Sequence, residues 1–530
     1  MTNPANNETN IAPNNLGQLL EQRAAATAEK AFLFSEPDGR KFTYSEFHLS
    51  VNRAAAMLIA HGIGKGDVVS LLMPNSVEYI IAYFACWKLG ALAGPINSLL
   101  RENEIAFVLN NSETRAILVH SEFKERVEKI RNELPHLRAV VTFDDESEAT
   151  RQFEKGGEGG RHDWERSIDK EDDAIIIYTS GTTGKPKGCL LTHGNVIANA
   201  RQISEWLNFN EHDRLLTIMP LFHMNAVSVT TMSALYAAGS TVISPKFSAS
   251  QFWKIISDYR VTSFGSVATM LSMLLSRYPE GVPEGLKTDQ LRFAMCGSAP
   301  VPAEVMKKFE ETFNCPVVEG YGLSESTCRS TFNPPDERRR PGSCGLPIGN
   351  EMKIFDDDDN EVADRQLGEI VLRGENILKG YYRNPEATSA AFRNGWFHTG
   401  DIGYRDEEGY FFIVDRKSDM IIRGGENIYP REIDEVLYQH PAVATAATIG
   451  IPDQLYGEEV VAFVVLKNGM KISEEKLAHF CRERLADYKC PKSIHFITEI
   501  PKGPTGKLLK RKLAKEYGPL VHLNSEDART

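Results

Sequence analysis

Along the chain from Phe42, short apolar runs recur between longer stretches in which hydrophobic positions return every three or four residues. The runs Val68–Met73, Ala93–Asn97, Ile117–His120 and Ala139–Phe143 read as buried strands and the stretches between them as helices, an alternation that predicts a layered α/β body. Residues 144–173 are rich in Asp, Glu, Lys and Gly and have little to bury, so they read as a surface excursion. The β-branched run Ala174–Tyr178 follows, then a Gly/Thr loop, then Thr192-His193-Gly194-Asn195 opening a helical pattern. Strand, loop, helix is the order that suits an anion held at a helix N-terminus. Runs at Leu215–Met219, Thr241–Ser244, Ser263–Ala268, Arg292–Cys296 and Pro316–Glu319 continue the body, while Glu369–Arg373 and Tyr410–Val414, bounded by Gly and acidic turns, predict antiparallel pairing. Around 415–425 the texture turns charged and Gly-rich. The expected organisation is a large multi-subdomain α/β body over 1–415 and a smaller, mobile α+β domain over 416–530.

Composition narrows the class. With 530 residues, 42% hydrophobic and 25% charged, the chain can bury more than one core. Lys plus Arg total 60 against 72 Asp plus Glu, a net charge of -12, which argues against a general nucleic-acid binder. Eight scattered cysteines, with no CxxC pair and no histidine at metal spacing, read as reduced thiols. The polar, Asn-rich start lacks the order of a signal peptide, and no apolar run reaches membrane-spanning length, so the expected compartment is the cytoplasm.

Four segments carry candidate chemistry. In Thr179-Ser180-Gly181-Thr182-Thr183-Gly184-Lys185-Pro186-Lys187, glycines let backbone N–H groups turn toward an anion, hydroxyls add donors, and Lys185 and Lys187 supply charge for a polyphosphate. It is not a Walker loop, because two residues separate Gly181 and Gly184 where that loop has four, and Pro186 stands where its Ser/Thr would be. Glu319-Gly320-Tyr321-Gly322-Leu323-Ser324-Glu325 follows an apolar strand, so it sits at a strand mouth, where α/β proteins bind ligands, and offers a carboxylate to a hard cation. Asp401, in Trp396-Phe397-His398-Thr399-Gly400-Asp401, precedes Arg416; a carboxylate can accept two hydroxyl protons. Lys507, in Pro504-Thr505-Gly506-Lys507, is followed by Lys510-Arg511-Lys512, which reads as solvated surface.

These motifs, in this order and over nearly the whole chain from Phe42 to Lys512, resemble the adenylate-forming superfamily of acyl-CoA synthetases, peptide-synthetase adenylation domains and beetle luciferases. The resemblance implies that residues 179–187 cradle the phosphates of ATP, that Gly297, Ser298 and Ala299 lie along adenine and that Tyr321 packs on it. It implies further that Ser324 touches phosphate, that Glu325 with Thr179 holds Mg2+, and that Asp401 and Arg416 take the ribose. Lys507 aligns with the adenylation lysine, His223 in Pro220-Leu221-Phe222-His223 with a histidine beside the substrate carbonyl, and Gly425 and Glu426 with the face presented to coenzyme A. The pivot of the C-terminal domain falls on Ser418, where the family usually has Asp or Lys.

The resulting expectation is an ATP-dependent carboxylate:CoA ligase that forms an acyl-adenylate and then a thioester. Its partners are a small carboxylic acid and CoA, with no nucleic acid, and a homodimer is left open. In the stretches that line the family's acyl pocket, the small residues Ala226, Gly265 and Ser266 leave room and Asn225 and the serines make one end polar, while the run Phe247–Trp253 and the region Phe411–Met420 resemble ligases for carnitine-like and other polar short acids. The expected acid is short to medium and polar, with medium or long fatty acids and aryl acids left open. The competing readings are an adenylation enzyme loading a carrier protein and an inactive nucleotide-binding homologue.

Overall fold

The computed structural model describes residues 12–144, 168–179, 186–297, 301–503 and 508–517. It has mixed α/β architecture and packs as two compact units that exchange segments. The first holds the described residues up to 246 together with 324–328 and 375–385, and the second holds 247–323, 329–374 and the described residues from 386 onward.

The first unit contains a seven-stranded sheet in the order Gly380–Tyr381, Lys187–Thr192, Asp173–Thr179, Leu92–Pro95, Val68–Leu72, Ala116–His120, Ala139–Phe143. Its last five strands run parallel, as βα alternation requires, and the first two are antiparallel additions. A second set of strands, Arg214–Thr217, Ser240–Ile243 and Ala31–Ser35, is also parallel, with Lys41–Thr43 as an antiparallel edge. Between the two sets lies the helix Val77–Leu89, every residue of which is buried. Such a helix must satisfy its polar tips internally: Trp87 Nε1 donates to the Ala174 carbonyl at 3.0 Å and the Tyr83 hydroxyl to Leu221 at 2.8 Å, one toward each strand set.

The helix opens at His193 with Thr192 as its cap, as expected, but an unexpected strand, Lys187–Thr192, comes before it and pairs antiparallel with Asp173–Thr179. The apolar content of Gly188-Cys189-Leu190-Leu191 lets this strand pair with its neighbour in the sheet. Thr192 caps that helix reciprocally with Asn195, as Thr-x-x-Asn spacing allows, and Asn195 Nδ2 also donates to the carbonyls of Glu375 and Ile377. The cap thereby docks the 375–385 segment.

In the second unit Ser263–Ser266, Phe293–Cys296 and Val317–Glu319 run parallel. An antiparallel sheet follows, in which Gly368–Arg373 and Phe411–Arg416 both pair with Trp396–Arg405. The smaller C-terminal sheet is built on the long hairpin Val443–Asp453 and Gly457–Leu466, with Ser493–Phe496 added in parallel. Val460, Ala462 and Val464 pack with the helices Pro430–Tyr438 and Glu474–Arg482, while Val461 and Phe463 face a second cluster with Ile449, Ile500 and Leu513. Apolar residues at both parities are what a strand buried on both faces requires.

Candidate active site

The site residues fall in two constellations, one in each unit. In the first unit the end of strand Asp173–Thr179 meets the turn Ser324–Ser326. Thr179 Oγ1 donates to Glu325 Oε1 at 3.4 Å and the Tyr381 hydroxyl donates to the same oxygen at 3.2 Å. Two motifs far apart in sequence are thus brought to one carboxylate, with both hydroxyls on a single oxygen. The Lys187 ammonium lies 5.1 Å from the centre of the Tyr381 ring, within cation–π range. The turn is held by a bond from the Leu378 N–H to the Glu325 carbonyl at 2.7 Å, and by the Thr327 hydroxyl on the Asn376 carbonyl at 2.7 Å. Thr327 has φ +64°, a conformation costing a β-branched residue about 1–3 kcal/mol, and such strain persists where the surroundings over-determine it.

Around Glu325 stand the hydroxyls of Thr179 and Tyr381, with the Cys189 thiol 3.7 Å from Thr179 Oγ1 and kept protonated by its burial. Among the described residues no group of three or more His, Cys, Asp or Glu gathers as a metal cage. A single carboxylate fits Mg2+, which keeps most of its shell as water and phosphate oxygen, and fits zinc poorly.

In the second unit Asp401 and Arg416 are direct cross-strand partners, and Arg416 Nε lies 3.1 Å from Asp401 Oδ1. The Tyr321 hydroxyl donates to Asp401 Oδ2 at 2.6 Å. An ionised carboxylate has about four acceptor positions, so these two donors leave capacity for a ribose diol. Gly400 takes φ +72°, and its N–H is received by Glu369 Oε1 at 2.9 Å, which fixes the turn that presents Asp401. Gly297 and Gly320 lie on adjacent strand ends where only glycine fits: a Cβ on Gly297 would come within 2.7 Å of the Gly320 carbonyl, and one on Gly320 within 2.5 Å of the Thr331 carbonyl. Glu319 is buried; one carboxylate oxygen accepts the Val301 N–H at 3.1 Å, and burial pushes its pKa up to about 7. Its side chain therefore ties the strand to the entrance of the helix Ala303–Phe313.

His223 belongs to the first unit. Its Nε2 is buried without a hydrogen-bond partner, and burial lowers its pKa to about 4. Taking a proton from a thiol of ordinary pKa would then be uphill by roughly 6 kcal/mol, so the ring is a neutral polar contact and not a strong base. Gly322 and Ser324 are half-buried in the loop and turn before Glu325. Gly425 has φ +90° with open space where a Cβ would stand, and Glu426 beside it is exposed. Ser180, Gly181, Thr182, Thr183, Gly184, Lys185, Ser298, Ala299 and Lys507 lie outside the described residues. Reading the sequence missed Tyr381, whose segment returns to the sheet from far along the chain, and misjudged Lys510. Arg511 and Lys512 are exposed as expected, but Lys510 is largely buried and paired with Asp434 at 2.8 Å.

Comparison with known proteins gives the family. Residues 20–382 match the AMP-binding enzyme family and residues 432–507 the AMP-binding enzyme C-terminal domain. The chain belongs to the AMP-binding enzyme family. It is 35% identical over 504 residues to a sulfoacetate–CoA ligase of Cupriavidus necator, covering 94% of this chain and 97% of that one. It is 37% identical over 522 residues to the long-chain-fatty-acid–CoA ligase FadD13 of Mycobacterium tuberculosis, covering 96% and 99%. Among solved structures it resembles the o-succinylbenzoate CoA synthetase MenE of Bacillus subtilis in complex with its acyl-adenylate intermediate, with a TM-score of 0.82, 33% identity, and 94% and 98% of the two chains covered.

Proposed function

We propose that the chain is an AMP-forming acid:CoA ligase acting on a short to medium carboxylic acid with a polar end. The observation that carries the reaction class is the junction of Thr179 and Glu325, which sets a cation-binding carboxylate against the first residue of the polyphosphate loop. In the first half-reaction the acid's carboxylate oxygen attacks the α-phosphorus of ATP, the bond to the bridging oxygen breaks, and pyrophosphate leaves. Mg2+, when bound, offsets the charge of the phosphates and of the departing pyrophosphate. Lys185 and Lys187 add charge on the same side; Tyr321, Asp401 and Arg416 hold the nucleoside. Lys507 brings an ammonium to the oxygen on which charge grows, an interaction worth more in the transition state than before it. In the second half-reaction the thiol of CoA attacks the acyl carbon, the mixed-anhydride C–O bond breaks, and AMP leaves. For that step the C-terminal domain, taken as 416–530 and pivoting near Ser418, carries Lys507 away and presents Gly425 and Glu426 to CoA.

The polar acid is supported by unmet hydrogen bonds after His223. Asn225 is buried with neither amide atom bonded, and Ser228 Oγ and His223 Nε2 are likewise buried and unbonded. Each such group costs about 1–3 kcal/mol unless something satisfies it. They stand at the start of a π-helical stretch, Asn225–Met232, a distortion that recurs at functional sites. The relatives' names span sulfoacetate and long-chain fatty acids, so the substrate cannot be taken over from them. Seven of the eight cysteines are buried and all eight are free, and among the described residues no helix is long and apolar enough to cross a membrane. We place the enzyme in the cytoplasm, as a monomer or a homodimer.

The test is pyrophosphate release over a panel of carboxylates with ATP, Mg2+ and CoA. The expected result is a preference for acids bearing a second hydrogen-bonding group over alkyl acids of equal length, reduced roughly 10-fold or more in kcat/KM terms by Asn225→Leu. A wild-type preference for plain alkyl acids overturns the polar-acid reading, and no carboxylate-dependent release with any acid overturns the ligase reading.

A further inference from the structure

A lysine in a terminal basic run belongs in water, because a buried ammonium loses its hydration. Lys510 departs from this: its Nζ lies 2.8 Å from Asp434 Oδ2, with the lysine side chain 18% and the aspartate side chain 10% exposed. Asp434 stands on the helix Pro430–Tyr438, and its Oδ1 accepts the Thr448 N–H at 2.6 Å. One carboxylate thus joins the helix, the strand Val443–Asp453 and the segment that follows Lys507. Burial works against the Lys510 ammonium, but Asp434, then Asp415, and also Asp419 outweigh it and hold its pKa above the ordinary lysine value.

Two of those three carboxylates belong to the hinge. Asp415 accepts the N–H of Arg416 at 2.8 Å and of Arg431 at 2.9 Å, and Asp419 accepts the Ser418 hydroxyl at 3.0 Å. Arg416 itself reaches Asp401. The segment bearing Lys510 is also pinned from the other side: Lys502 and Leu508 form an antiparallel bridge, Leu509 N–H donates to the Pro501 carbonyl at 2.8 Å, and Leu513 is fully buried in the C-terminal core. Replacing a buried ion pair by apolar residues is often neutral for stability, and the best-attested use of such pairs is to fix register.

We infer that Lys510 is a positioning residue whose pairing with Asp434, beside the hinge carboxylate Asp415, sets the register of the Lys507 segment for adenylation. The inference rests on the reading of Lys507 as the adenylation lysine. It implies that the two half-reactions respond unequally to loss of Lys510, since only the first needs that register.

The experiment uses the full-length enzyme with Lys510→Met, Lys510→Arg and Asp434→Asn, the last chosen because it keeps an acceptor for the Thr448 N–H. Acid-dependent pyrophosphate release, thioester formation from supplied acyl-adenylate and CoA, and thermal melting are measured for each. Lys510→Met is expected to slow adenylation roughly 10- to 100-fold while thioester formation stays within about threefold, with Lys510→Arg recovering most of the loss and Asp434→Asn repeating it. Equal slowing of both half-reactions in a folded variant, or of neither, overturns the inference. Should Lys510→Met fail to fold, Asp434→Asn decides by the same criterion. Lys507→Ala in parallel separates the two levels: if it leaves adenylation intact, the underlying reading has failed; if it abolishes adenylation while folded Lys510 and Asp434 variants spare it, only the present inference falls.

Discussion

Tyr381 shows how much a single hydroxyl can decide. Its donation to Glu325 Oε1, beside that of Thr179, orients the carboxylate that the proposed reaction assigns to the cation. Burial, and then the neighbouring Glu325, hold the phenol far above its ordinary pKa, so it remains a donor throughout the working pH range. Orienting partners of a metal carboxylate are worth about 10- to 100-fold in metal affinity. Tyr381→Phe, which keeps the ring beneath Lys187, is therefore expected to raise the Mg2+ concentration for half-maximal pyrophosphate release roughly 10-fold, with the melting temperature little changed. An unchanged Mg2+ requirement would remove Tyr381 from the site.

At the scale of elements, the second unit depends on how closely three parallel strands and their loops approach. Gly297 against Gly320 brings two strand ends together, and Glu319 joins the same strand to the helix entrance at Val301. The Glu319 carboxyl rises from its ordinary value to about 7 because burial penalises its charge. The folded state therefore holds a proton that the unfolded chain releases earlier, and stability present at pH 4.5 is lost as pH rises toward 7. Glu319→Gln keeps the acceptor for Val301 and removes the titration. Relative to wild type it is expected to gain up to about 3 kcal/mol between pH 5 and pH 8, read from denaturant unfolding at the two pH values. Parallel stability curves for the two proteins would show that Glu319 does not titrate with folding.

For the whole molecule, the proposed cycle uses one ammonium in one half-reaction only. Lys507→Ala should abolish acid-dependent pyrophosphate release while much of thioester formation from preformed acyl-adenylate survives, because the second step makes and breaks no bond at the α-phosphorus. Equal loss of both rates would contradict a C-terminal domain that alternates between two poses.

Local pattern sufficed for much of this. The runs at 68–73, 117–120 and 139–143 became strands with nearly the expected bounds, since a buried parallel strand must be continuously apolar and its helices amphipathic. The ordered motifs singled out Thr179 and Glu325, and Tyr321, Asp401 and Arg416, which the fold brings into contact within each unit. Three features were not legible. The strand Lys187–Thr192, which stands before the expected helix at His193, was missed because its pairing with Asp173–Thr179 is made across space. The donation of Tyr381 to Glu325 spans 56 residues of sequence and depends on a segment docked by Asn195. The burial of Lys510 required Asp434, far from it along the chain. Residue order determined the elements and the chemical groups available; which groups share a carboxylate was decided only by packing, because hydrogen bonds and ion pairs act across space and carry no trace in the spacing of the chain.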